Sequence, residues 1–95
     1  MNADLPYTIP AEGDYITRVE ELDLTRSLNG RALTKITLVD LRTMHRFFLY
    51  RFGNVTVEWV YIKRNTADIH IRVKHETHNG LIRVVVTLRA INKIK

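Results

Sequence analysis

"DIHIRVKHETHNGLIRVVVTLRAI", residues 68 to 91, alternates apolar and basic side chains, turns at Asn79-Gly80, and alternates again. A period of two is the mark of a strand with one buried face. It sends Ile69, Ile71 and Val73 to one side and His70, Arg72 and Lys74 to the other. On the return strand Arg83 and Arg89 share a side with Val85 and Thr87. Asn-Gly between two such runs is the strongest short hairpin signal, because both residues tolerate positive φ. The chain therefore closes with a hairpin that has one apolar and one basic face.

The same signal recurs at Asn29-Gly30, within "SLNGRAL". Ahead of it, "DYITRVEELDLTRS" reads as a long first strand, and the broken phase of Ile16 and Val19 predicts a bulge near Arg18. Behind it, "RALTKITLVD" puts Ala32, Thr34, Ile36 and Leu38 on one side. A polar turn from Asp40 to Thr43 leads to a third strand, "MHRFFLYRF". Residues 1 to 13 read as an extended lead-in, since Pro6 and Pro10 remove backbone donors and Gly13 marks a turn into the first strand.

The segment "GNVTVEWVYIKRNT" has two readings. Val55, Trp59 and Ile62 recur at helical spacing behind Asn54, a good N-cap, whereas Val55, Val57, Trp59 and Tyr61 alternate as a strand would. A short helix is preferred, because the chain must reverse between two antiparallel pairs. The order strand, strand, strand, short helix or loop, strand, strand is that of the OB-fold, a mainly β, partly open Greek-key barrel of five strands. An SH3-like barrel and a five-stranded sandwich share the strand count. The expected organisation is an extended N-terminal segment, residues 1–13, and a single β-barrel domain, residues 14–95, with no repeat, low-complexity segment or linker.

Ninety-five residues suffice for one core, and a hydrophobic fraction of 45% argues for a folded chain. There is no cysteine, so neither disulfides nor a thiolate metal site hold the fold. Redox chemistry does not fix the compartment, and a cytoplasmic location is the expectation. The acidic, proline-containing start of the sequence is not expected to act as a signal peptide, and no apolar run approaches the roughly 20 residues of a membrane-spanning helix. The net charge of +5 hides an asymmetry. Residues 1–25 carry six acids against Arg18, a net of −5, while the remainder holds 14 of 15 Lys and Arg and four of ten acids, a net of +10. So basic a body favours a polyanionic partner.

Catalytic patterns are sparse. His75 and His78 flank the expected last turn without a third ligand, the only serine is Ser27, and the four glycines stand singly at turns. Glu20 and Glu21 are neighbours on a strand, which should aim them at opposite faces. No enzyme activity, metal or cofactor is expected. The aromatics say more. In "HRFFLYRF", Phe47 and Leu49 share the core face, and Arg46, Phe48 and Tyr50 share the other. An exposed strand of that kind offers ring faces to bases and cations to phosphates; the other reading covers Phe48 with the helix. Trp59 is assigned to the core or to helix packing ahead of a base platform. The loops "SLNGR" and "HETHNG", flanked by Arg26, Arg31, Lys74 and His75, would border an OB-type ligand face.

"IPAEGDY" with the long strand after it, "NGRALTKITLVD", and the closing "IRVKHETHNGLIRVVVTLRAI" resemble small phage-encoded single-stranded DNA-binding proteins of the OB type. The likeness covers residues 9–40 and 68–91. It implies single-stranded nucleic acid, DNA first, as the ligand, bound with little sequence preference. The chain ends "INKIK" where many of those proteins carry an acidic partner-recruiting tail, so that recruitment is not expected. The expected site has Lys35, Arg46, Arg72, Lys74 and Arg83 at phosphates and Phe48 and Tyr50 under bases. The acidic segment 1–13 is expected to compete by lying over the basic face. Two rivals remain. One is a phage or mobile-element interaction module that docks on a nucleic-acid-handling machine, or dimerises, through the edge of the last strand. The other is an assembly protein whose basic face meets an acidic neighbour.

Overall fold

A computed structural model describes residues 9–93 of the chain. Its element order is β1 (Gly13–Arg26), β2 (Ala32–Asp40), β3 (Arg46–Phe52), α1 (Thr56–Asn65), β4 (Thr66–His78) and β5 (Leu81–Lys93). All strand pairs are antiparallel, in one sheet of order β3-β2-β1-β4-β5. The long β1 serves both halves: Gly13 to Thr17 pair with β4, and Thr17 to Arg26 pair with β2. Thr17 sits at the handover, fully buried, and its hydroxyl donates to the Ile69 carbonyl (2.9 Å).

The two edge strands, β3 and β5, come back toward each other, with Cα atoms within 8 Å. Among the described residues no ladder joins them, so the sheet curls into a barrel with one open seam. Tyr15 on β1 and Phe47 on β3 show the curl directly: β2 lies between their strands, yet their ring centroids are 4.9 Å apart. This strand order, with the helix between the third and fourth strands, is that of an OB-like barrel left unclosed.

Local chemistry explains most elements. Asn79 (φ 51°) and Gly80 (φ 78°) both sit at positive φ, the requirement of a two-residue type I′ hairpin turn, whose twist matches that of the strands. The β1 bulge falls between Val19 and Glu21, two residues beyond the expected Arg18. Thr34, Ile36 and Leu38 point inward as their alternation requires, against Phe47, Leu49, Ile69, Ile71 and Val73. The third strand starts at Arg46 rather than Met44, because Met44 takes a positive φ (62°) and its N–H donates to the Asp40 carbonyl in a turn.

Helical spacing prevails over alternation in the middle segment. Trp59 is buried in the core, Val55 and Ile62 pack beside it, and Val57 and Tyr61 face out. Asn54 lies one residue ahead of the N-cap, Val55, and its Oδ1 accepts from the Thr56 N–H (3.1 Å) and hydroxyl (2.6 Å). Thr34 anchors this connection from β2, donating to the Gly53 carbonyl (2.9 Å) and accepting the Val55 N–H (3.0 Å).

Candidate nucleic-acid interface

On β2 and β3, the side chains that do not enter the barrel lie in facing pairs: Lys35 opposite Tyr50, Thr37 opposite Phe48, Val39 opposite Arg46. Phe48 and Tyr50 are 45% and 49% exposed, so the helix does not cover Phe48. The Lys35 ammonium stands 4.3 Å from the centre of the Phe48 ring, a cation–π contact. Four of the seven expected site residues are thus gathered on one patch: Lys35, Arg46, Phe48 and Tyr50.

The other three, Arg72, Lys74 and Arg83, lie on the outward face of the β4–β5 hairpin. Arg72 pairs with Thr87, Lys74 with Val85, and Arg83 with Glu76. The curl brings one end of this face to the first patch, since Arg83 and Val85 share a surface cleft with Phe48 and Tyr50 across the seam. A register shift between His70 and Ile71 breaks the expected alternation at Arg89. His75 and His78 do not straddle the turn; both lie on its β4 side, His78 directly before Asn79. Among the described residues no three His, Cys, Asp or Glu side chains gather as metal ligands.

The cations are not equivalent. Arg46 makes a two-pronged pair with Glu20 through Nε and Nη2, and Arg72 does the same with Asp14, at 2.9 and 3.3 Å. Each guanidinium, by donating to its carboxylate, holds the acid below the usual carboxylate range: Arg72 for Asp14, Arg46 for Glu20. The same hydrogen bonds raise both arginines. The bulge creates one of these pairs. It leaves Glu20 out of the ladder and turns it toward Arg46, with Glu21 adding to the same field, so the two acids do not diverge as strict alternation requires. The pair bridges β1 and β3 over β2 at Val39, which is itself buried.

Lys74 and Arg83, by contrast, make no ion pair or side-chain hydrogen bond with the described residues. Arg26 is spent on its own loop, donating to the Gly30 carbonyl (2.9 Å). The lead-in is tied down from Pro10 onward: the His75 Nε2–H donates to the Pro10 carbonyl (2.7 Å), and Glu12 accepts the His75 N–H (2.7 Å). Residues 1–8 lie outside the described residues, and the contacts of Pro10 and Glu12 are with His75 rather than with the basic side chains Arg72, Lys74 and Arg83.

Sequence reading missed the seam. Pro10, His45, Val84 and Val86 line it beside the β3 aromatics, and nothing in their local pattern brings β3 to β5. No protein-family model matches the chain, and no curated protein sequence matches it. Among the described residues no helix is long and apolar enough to cross a membrane.

Proposed function

We propose that the protein is a non-enzymatic, cytoplasmic binder of single-stranded nucleic acid, DNA first, with little sequence preference. The observation that carries this is the exposed Phe48–Tyr50 pair on β3 with the Lys35 ammonium over the Phe48 ring. Stacking on such faces is worth about 1–3 kcal/mol per base and tolerates any base. Lys35, Lys74 and Arg83 are the first phosphate partners, because among the described residues no carboxylate pairs with them. Arg46 and Arg72 join only if a phosphate displaces Glu20 or Asp14. The likeness to phage single-stranded DNA-binding proteins points the same way.

The test is fluorescence anisotropy of a labelled single-stranded oligonucleotide beside a duplex control, at low and near-physiological salt. Phe48→Ala and Tyr50→Ala should each weaken single-strand binding about 5- to 150-fold, the equivalent of one lost stack. Equal affinity for duplex, or indifference to both substitutions, overturns the reading. A second reading, a docking module, draws support from the β5 edge, which among the described residues is unpaired and, at 13 residues, outruns the seven-residue β3. It takes precedence if neither nucleic acid binds at low salt.

A further inference from the structure

The seam between β3 and β5 is a cleft of about 400 Å³ lined by Pro10, Phe47, Phe48, Tyr50, Val84 and Val86, among others. A second hollow of about 290 Å³ adjoins it along the same strands and includes Arg51 and Arg83. The first lies near the lower end of the range for small-molecule sites, about 300–1,000 Å³. Its floor, Phe47, is buried in the core, and its mouth, Phe48 and Tyr50, is the exposed aromatic patch. The cleft is therefore a slot leading from that patch into the barrel.

Three features limit what fits. An inserted peptide strand needs about 9.5 Å between its neighbours, twice the spacing of paired strands. Where β3 and β5 approach, their Cα atoms are within 8 Å, so a strand is excluded there. A flat ring carried on a chain that stays outside is admitted, since stacked bases are only about 3.4 Å thick. Next, the seam-side backbone groups of β3 and β5 have no strand partner among the described residues. They are donors and acceptors free to meet the polar edge of a heterocycle. Finally, the rim is cationic at Arg83 and Arg51, which favours an anionic chain outside the slot over a neutral one.

We infer that the β3–β5 seam receives one nucleobase edge-on, while its neighbours stack on Phe48 and Tyr50 and their phosphates meet Lys35 and Arg83. This rests on the nucleic-acid reading and adds a subsite to it. The chain has no cysteine, so Val84→Cys places a single thiol in the slot. A saturating single-stranded oligonucleotide should slow maleimide alkylation of that thiol at least fivefold. A strand of the same length made of abasic sites should not. Independently, Val86→Phe, which fills the slot, should lower single-strand affinity about tenfold with the salt dependence unchanged, its folding checked by thermal melting.

Equal alkylation with and without the oligonucleotide overturns the base-slot assignment. If Phe48→Ala still weakens binding in that case, the surface-stacking reading stands without the slot. Protection by the abasic strand as well also overturns it, because the backbone alone is then covering the thiol. Failure of the unmodified protein to bind any single strand at low salt overturns both.

Discussion

Thr34 holds together three segments of chain with one hydroxyl. It donates to the Gly53 carbonyl and accepts from the Val55 N–H while its own side chain is fully buried. Thr34→Val keeps the shape and removes both bonds, leaving two backbone groups unsatisfied. A loss of about 1–3 kcal/mol is expected per orphaned buried group. Urea unfolding should show a lower midpoint with an unchanged slope; an unchanged midpoint would mean that water satisfies both groups. The two ion pairs act differently, because they are exposed. Asp14 and Glu20 have depressed folded-state pKa values, so their contribution is fully present above the ordinary carboxylate range near 4 and disappears as pH falls through the depressed values. The melting temperature should therefore drop on acidification, less steeply in the Asp14→Asn, Glu20→Gln double variant. Parallel curves for the two proteins would remove these pairs from the account of acid stability.

The final hairpin shows how a short motif sets the register of a long element. With Asn79 and Gly80 both at positive φ, His78 faces Leu81 and the ladder runs back through Lys74 opposite Val85 to Val73 opposite Val86. A shift of one residue would send Ile71 and Val73 to solvent and Arg72 and Lys74 into the core. Gly80→Ala puts a Cβ at φ 78°, where nothing lies within 4 Å, so its cost is backbone strain alone. About 1–2 kcal/mol is expected, or some 4–8 °C per kcal/mol in melting temperature for a domain of this size. An unchanged melting temperature would rule out the type I′ turn. In α1 the outcome was set by packing. Both periods were present in Val55 to Ile62, and the helix places Trp59 in the core and leaves Val57, Val60 and Tyr61 exposed.

Curling the sheet turns two separate patches into one path. Lys35, Phe48 and Tyr50 lie on one side of the seam, Arg83 and Lys74 on the other, and the acids of β1 hold Arg46 and Arg72. With three unencumbered cations in contact, the logarithm of the binding constant should fall with log salt at a slope of about −2, taking about −0.7 per phosphate contact on single strands. A slope near −3.5 would mean that ligand recruits Arg46 and Arg72 as well. The lead-in is a further control on the same path, since Pro10 lines the cleft and Glu12 sits at the His75 amide beside Lys74. Removing residues 1–12 takes away Asp4 and Glu12 and opens the slot. Single-strand binding at low salt should then tighten about two- to tenfold, a screened effect that fades as salt rises. Unchanged affinity would show that the segment does not compete.

The succession of elements, the two Asn-Gly turns, the inward set of β2 and the outward Phe48 and Tyr50 could all be read from the chain. Each follows from interactions within a few residues: a turn dihedral, a period of two, a side chain's preference for one face. The bulge was legible as a break in phase, but not its consequence. That Glu20 turns with Glu21 toward Arg46 depends on where β3 lies two strands away. The capture of Arg72 by Asp14 likewise needs the pairing of β1 with β4 across 58 residues of sequence. The seam is the furthest from any local signal. It arises because twist accumulated over five strands returns β5 to β3, so Val84 and Val86 come to line a slot with Phe48. Local periodicity determined which residues face outward; only the curling of the sheet decided which of them are neighbours, and which cations the acids of β1 hold.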